Sequence, residues 1–299
     1  MQPARVPEGV RAERAGRSLD LTDARTLTAV ARRVGLRRDT SLGQHFLVDR
    51  EVLDAIIEAL DPGPDSEVLE IGCGLGTLTG ALAARARRVV AIDIDPACVA
   101  GTEITQRANP NVTVLEADAR TVDPAALAFT AGWLATGNLP YQLTGLVLMR
   151  LVEAEQPPAR TVVLVQREVA ARLAAGPGDW SLATVAIRSL ADVERILDVP
   201  PTAFDPPPAV HSSIIRIVPS AKGDPAIRES MLALAKPLFQ SRRKTLRNGV
   251  SRALGGDVAG AASALTNAGI DPGRRPGTLR LDEWALLARA VAEVRVVTR

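Results

Sequence analysis

The sequence predicts an α/β chain in which a mostly parallel sheet of seven strands, the last antiparallel, precedes a small all-helical C-terminal domain. Three observations predict it. From residue 67, short apolar runs alternate with stretches of helical period. Beyond Pro219 no strand pattern recurs, and Gly and Pro separate what read as helices. A length of 299 residues is that of two domains at roughly 150 residues each.

Residues 1–22 are polar, with Pro3, Arg5 and Glu8 and no apolar stretch, and are expected to form a mobile tail. Domains of 23–219 and 220–299 follow. A cap at Thr22 or Asp23 starts the first helix, which puts Leu27, Val30, Ala31 and Val34 on one face, and Gly35 suits its end. A second helix over about 49–60 stops at Asp61-Pro62-Gly63-Pro64. Strands are expected at 67–71, 88–93, 112–116, 133–136, 161–166, 192–199 and 211–218. Helices fit at about 77–86, 96–107, 144–155, 168–175 and 181–190. The last two strands are joined only by the Pro-rich stretch 200–208, which suggests an antiparallel strand appended at one edge. Helices over about 225–238, 243–254, 258–268 and 281–295 make the second domain.

Apolar residues make up 46% and charged residues 23%, a globular balance that excludes a disordered chain. Runs such as Val162-Val163-Leu164-Val165 are far shorter than the roughly 20 residues a membrane span needs. The N-terminus has no apolar core of a secretory signal. A cytoplasmic monomer without a membrane partner is expected. Two cysteines, Cys73 and Cys98, make neither a disulfide framework nor a zinc site, and no metal is expected. The net charge of +2 announces no polyanion. Its distribution says more: residues 240–299 hold 11 Lys+Arg against 5 Asp+Glu, so the rest of the chain is net negative.

Glu70-Ile71-Gly72-Cys73-Gly74-Leu75-Gly76 closes the first strand of the sheet and opens a helix. Glycines there let backbone approach a ligand, and the helix N-terminus offers N–H groups to an anion. Asp93 ends the next strand, where a carboxylate can accept both ribose hydroxyls; Asp118 follows the third, within reach of an adenine ring. The glycine spacing is not the dinucleotide fingerprint, and no phosphate-cradling Lys-Ser/Thr loop exists. This favours S-adenosylmethionine, whose carboxylate would take the helix end. Cys73 is read as a small loop residue.

After the fourth strand comes Gly137-Asn138-Leu139-Pro140-Tyr141, with the only tyrosine in the chain. An exocyclic amine on a base is a poor nucleophile because its lone pair is delocalised into the ring. Hydrogen bonds from that amine to the Asn138 side-chain oxygen and to a backbone carbonyl would draw it towards tetrahedral geometry. Pro140 stiffens the chain so that such a carbonyl can face inward. Tyr141 supplies a ring on which the base can stack.

These segments resemble the ribosomal RNA adenine N6,N6-dimethyltransferase family of the small-subunit type over about residues 24–297. Ser41-Leu42-Gly43-Gln44-His45-Phe46-Leu47, Gln166-Arg167-Glu168-Val169, 199–208 and 239–248 carry the resemblance together with the Gly72 loop and Asn138–Tyr141. It implies a Rossmann-like class I methyltransferase sheet. It also implies transfer of methyl groups to two adjacent adenines near the 3′ end of 16S rRNA, during assembly of the small ribosomal subunit. His45, Leu47, Gly72, Gly74, Asp93, Asp118 and Asn138 are then cofactor residues. Asn138, Leu139, Pro140 and Tyr141 are catalytic, and Phe204 stands opposite Tyr141 across the flipped adenine. The chain departs from the family in three places: His45 replaces a usual Asn, Pro208-Ala209-Val210-His211-Ser212 replaces Pro-Lys-Val-Asp-Ser, and Asp179-Trp180-Ser181-Leu182 replaces Tyr-Gly-x-Leu.

Arg242, Arg243, Lys244 and Arg247 are the densest basic cluster and the expected RNA contact. On a helix, Arg243 and Arg247 lie four apart on one face, where like charges repel unless phosphate neutralises them. Two other functions compete: the sister group that dimethylates a large-subunit (23S) adenine, and a non-catalytic rRNA-binding assembly factor. Arg242–Asn248 and Thr278-Leu279-Arg280-Leu281 fit the small-subunit group better, and intact Asn138, Pro140, Tyr141, Gly72 and Asp93 argue against the factor.

Overall fold

The computed structural model describes residues 19–37, 43–140, 142–178, 180–220 and 224–297. Most of the expected tail, Tyr141 and Asp179 lie outside them. Asp23 caps α1 (Ala24–Arg33) by accepting from the N–H groups of Arg25 and Thr26, and Leu27, Val30 and Ala31 are its buried face. Asp49 caps α2 (Arg50–Leu60) in the same way. Between them lies β1 (Phe46–Leu47). The alternating region then runs β2 (Glu67–Ile71), α3 (Thr77–Ala83), β3 (Arg88–Asp93), α4 (Pro96–Gln106), β4 (Val112–Glu116) and β5 (Leu134–Asn138). It continues with α5 (Thr144–Glu153), β6 (Arg160–Gln166), α6 (Arg167–Ala174), α7 (Leu182–Arg188), β7 (Ala191–Val199), β8 (Phe204–Asp205) and β9 (Ser212–Pro219).

The seven long strands form one sheet in the order β4-β3-β2-β5-β6-β9-β7. β2 to β6 run parallel, and β9 is antiparallel to both of its neighbours. The antiparallel strand is therefore not appended at an edge, as the sequence suggested; it is inserted between β6 and β7. Composition explains the exchange. β9 carries Ile214, Ile215 and Ile217, all fully buried, whereas β7 exposes Asp192, Glu194, Arg195 and Asp198. Charges and a register irregularity between Arg195 and Leu197 suit an edge that must not pair further.

Alternate residues of each strand feed two cores, one per face of the sheet. Leu69, Val90, Ala135 and Val163 face one side with Leu148 and Leu151 of α5; Val68, Val89, Leu134 and Val162 face the other with Ile56 and Leu60 of α2. Coverage on both faces is what a parallel sheet requires.

The chain ends in α8 (Pro225–Gln240), α9 (Leu246–Ala253), α10 (Val258–Asn267) and α11 (Leu281–Val297), packed around the fully buried Trp284. Trp180 and Val185 belong to this helical core although they precede β7. The N–H groups of Gly178 and Trp180 both donate to the Gly277 carbonyl, at 3.0 and 3.2 Å, and a Cβ on Gly277 would lie 2.8 Å from the Trp180 oxygen. The helical core thus reaches back across residue 220. The expected helix from 243 is also corrected. Residues 241–244 form a turn, and α9 begins only where Leu246 can bury itself. There the first N–H groups, of Leu246 and Arg247, are satisfied by the carbonyls of Arg274 and Pro272.

Candidate active site

The crossover from β4 back to β5 places a switch point beside β2, where an open α/β sheet leaves a crevice at its strand ends. The cleft found there is lined by His45, Leu47, Glu70, Gly72, Gly74, Asp93, Ile94, Asp118, Asn138 and Pro140, among others. Every expected cofactor residue is brought to it. The loop after β2 hangs from β3, because the N–H groups of Gly72 and Cys73 both donate to the Ile92 carbonyl, at 2.9 and 3.1 Å. Gly74 has φ 57°, and a Cβ there would lie 3.0 Å from the Phe46 ring, so the close approach of loop to ring needs glycine.

Asp93 fixes that loop as well as facing the cleft. Its two oxygens accept from the N–H groups of Gly74, at 2.9 Å, and Asp95, at 3.0 Å. Burial pushes its carboxyl above the usual range, against the pull of those two N–H groups. Each carboxylate oxygen keeps a further lone pair for a hydroxyl. Asp118 is engaged too: Nε of Arg120 reaches both of its oxygens, at 3.0 and 2.8 Å, and its pKa falls below the ordinary value under those bonds. Arg120 is a partner that the sequence did not reveal.

Two further residues of the cleft were not foreseen. Ile94 is 54% exposed at the end of β3, an apolar face open to a planar ring. Glu70 is the opposite case. It is 1% exposed, its Oε2 has no hydrogen-bond partner among the described residues, and burial, against the pull of the Thr79 hydroxyl and with the Asp93 charge adding, pushes its pKa up to about 8. A buried, unpartnered acceptor beside a cleft suits a cationic ligand. The signal was in the sequence, as an acid set among Val68, Leu69 and Ile71. Cys73 and Cys98 are buried and their thiols are pushed up by desolvation, so neither is a nucleophile.

Glu70 gives a pH signature. With its carboxyl protonated below about 8 in the free protein, a cation that binds beside it must displace a proton. Affinity for S-adenosylmethionine is expected to rise roughly three- to tenfold per pH unit up to about 8 and then level off. Glu70→Gln should abolish the dependence attributable to this group. Titration calorimetry in two buffers of different ionisation enthalpy reads the released proton directly, and its absence in the wild type would remove Glu70 from cation binding.

On the acceptor side, Asn138 ends β5 in register with Leu164, and its Nδ2 donates to the His45 carbonyl at 2.8 Å. With the amide nitrogen committed, Oδ1 is the end able to accept. The Leu139 N–H is taken by the Leu164 carbonyl, at 3.1 Å, and the Leu139 side chain is 1% exposed. Leu139 can therefore act only through its own carbonyl. The Pro140 carbonyl is spent, accepting from the Leu143 N–H at 2.9 Å to open α5. The backbone carbonyl that the sequence left unnamed is therefore assigned to Leu139 rather than Pro140. Phe204 pairs through its backbone with Leu47, but its ring is 4% exposed and lies in the core with Ile214 and not along the cleft.

Arg242, Arg243 and Lys244 occupy the turn between α8 and α9, and Arg247 the first turn of α9; all four are exposed. Arg243 and Arg247 do not share a helix face. Among the described residues none of the four side chains makes an ion pair or hydrogen bond, and the Arg252 guanidinium leans against the Ser241 hydroxyl at 3.0 Å. Among the described residues no group of His, Cys, Asp and Glu could hold a metal, and no helix is long and apolar enough to cross a membrane.

Comparison with known proteins gives one answer. Residues 35–293 match the family model for ribosomal RNA adenine dimethylase. A ribosomal RNA small subunit methyltransferase A of Anaeromyxobacter dehalogenans is 43% identical, over 88% of this chain and 96% of that one. Its counterpart in Myxococcus xanthus is 39% identical, over 90% and 96%. Among solved structures, the 23S rRNA methyltransferase ErmE superposes with a TM-score of 0.67 at 28% identity, covering 83% of this chain and 99% of that one. A dimethyladenosine transferase from Plasmodium falciparum, at 24% identity and a TM-score of 0.68, shares the fold, covering 84% and 98%. The chain is a methyltransferase with a Rossmann-like sheet, and it belongs to the ribosomal RNA adenine dimethylase family.

Proposed function

We propose that the chain transfers methyl groups from S-adenosylmethionine to the N6 amines of two adjacent adenines near the 3′ end of 16S rRNA, in the small ribosomal subunit. One observation supports the reading: Asn138, whose Nδ2 is held by the His45 carbonyl so that Oδ1 is left to accept, lines the same cleft as Glu70 and Asp93. The cofactor supplies a methyl group made electrophilic by its sulfonium. Glu70 holds the positive end of the cofactor, Asp93 its ribose, and Ile94 and Asp118 its adenine. Asn138 and Leu139 accept from the target amine, which turns its lone pair towards the methyl group. Tyr141 gives the base a stacking face, and Phe204 closes the other side by turning out of the core beside Leu47.

The unpaired cations at the α8–α9 turn fit a phosphate backbone, which they would meet without first breaking an ion pair. Replacing both Arg243 and Arg247 by Ala should leave cofactor affinity unchanged and weaken subunit binding. The log–log salt slope should fall by roughly one for each phosphate no longer neutralised. A filter-binding series over salt that matches the wild type in affinity and slope would make this turn a merely solvated surface. The likeness to ErmE makes the large subunit the competing substrate. Incubation with labelled S-adenosylmethionine and unmodified small or large subunits decides: label in the small subunit alone is expected, and label in the large subunit alone would transfer the reading to that partner.

A further inference from the structure

We propose that His45 is a positioning residue for the acceptor base, joining Asn138 and the Phe204–Pro206 segment into one unit; the proposal rests on the methyl-transfer reading above. The backbone of β1 and β8 forms a short antiparallel ladder, with Phe46 opposite Asp205 and Leu47 opposite Phe204. It is extended on one side by the Val48 N–H, which donates to the Ala203 carbonyl at 2.9 Å. On the other side the next rung would bring His45 to Pro206, and proline has no N–H to give. There the ladder is continued by a side chain: Nδ1 of His45 lies 2.7 Å from the Pro206 carbonyl. A carbonyl only accepts, so Nδ1 is the donor in this contact.

The same residue serves a second partner through its main chain, since its carbonyl receives Nδ2 of Asn138 at 2.8 Å. One residue thus sets both the end of β5 that faces the amine and the segment that carries Phe204. Its ring and its carbonyl hold two different segments of the chain. Removing the ring leaves the Asn138 contact to the His45 main chain in place and removes the bond to the Pro206 carbonyl. His45 borders the cofactor cleft, so a direct role towards the cofactor is the competing assignment, and the two differ in what a ring deletion changes.

The test compares the full-length wild type with His45→Ala and His45→Asn, the amide Nδ2 of asparagine being placed much as Nδ1 of histidine. Cofactor Kd is measured by calorimetry, kcat and KM on unmodified small subunits, and the thermal midpoint for each. His45→Ala should lower kcat/KM for the subunit about tenfold, as the loss of one orienting hydrogen bond predicts, with cofactor Kd within about twofold. His45→Asn should recover most of the loss. A Kd that worsens in step with kcat/KM would assign the ring to the cofactor and overturn the proposal. So would two variants that methylate like the wild type, or a loss in both that follows the thermal midpoint. A wild type that labels no adenine would instead sink the methyl-transfer reading, while leaving the Kd comparison intact.

Discussion

Asn138→Ala is expected to lower kcat by on the order of 10²-fold or more while cofactor affinity stays within about tenfold. The side chain does two things at once. Nδ2 is held by the His45 carbonyl at 2.8 Å, and that bond fixes which end of the amide is offered to the target amine. Alanine removes the acceptor and also strands the His45 carbonyl. Asn138→Asp separates the two effects. It keeps an oxygen for the amine but sets a carboxylate oxygen against the His45 carbonyl, so its rate should fall between those of wild type and alanine. Single-turnover methylation with saturating cofactor is the direct measurement. Near-wild-type turnover by the alanine variant would sink the acceptor assignment.

Asp93→Ala should act on the other substrate, raising the cofactor Kd by about 1–3 kcal/mol, because the ribose hydroxyls lose a charged acceptor. The structure adds a second cause. The same carboxylate holds the Gly74 and Asp95 N–H groups, so its loss also loosens the glycine loop. Asp95 is the other carboxylate at this strand end. Its oxygens are taken by the Ala97 N–H, at 2.8 Å, and by Nε2 of Gln44, at 2.6 Å, and it does not line the cleft. Calorimetry that finds unchanged affinity in Asp93→Ala would nevertheless move the ribose contact, with Asp95 first in line.

Much of this was legible in the sequence because strand ends are local. Gly72, Asp93 and Asn138 each close an apolar run, and a parallel sheet brings such ends to one edge whatever lies between them. The first helix start was legible for the same reason, with Thr22 or Asp23 as its candidate cap, and the structure selects Asp23. What could not be read depended on partners far apart in the chain. The β1–β8 ladder joins residues 46–47 to 204–205, and two-residue strands leave no periodicity to detect. The place of β9 inside the sheet was settled by competition between two strands for the edge. The start of α9 depends on carbonyls at Pro272 and Arg274 that no local pattern announces. Glu70 was in plain view, yet its meaning needs the fact that its Oε2 is buried with no hydrogen-bond partner among the described residues.

In the proposed reading, the Asn138–Leu139 acceptors and the Glu70–Asp93 cleft form one site that methylates adenine N6 in small-subunit rRNA. Nucleoside mass spectrometry of unmodified small subunits, incubated with the wild-type chain and S-adenosylmethionine, tests it most directly. N6,N6-dimethyladenosine is expected, confined to a fragment from the 3′ end of the rRNA and absent with Asn138→Ala. Methyl groups on any other base or ring position, or dimethyladenosine formed equally well by Asn138→Ala, would contradict it.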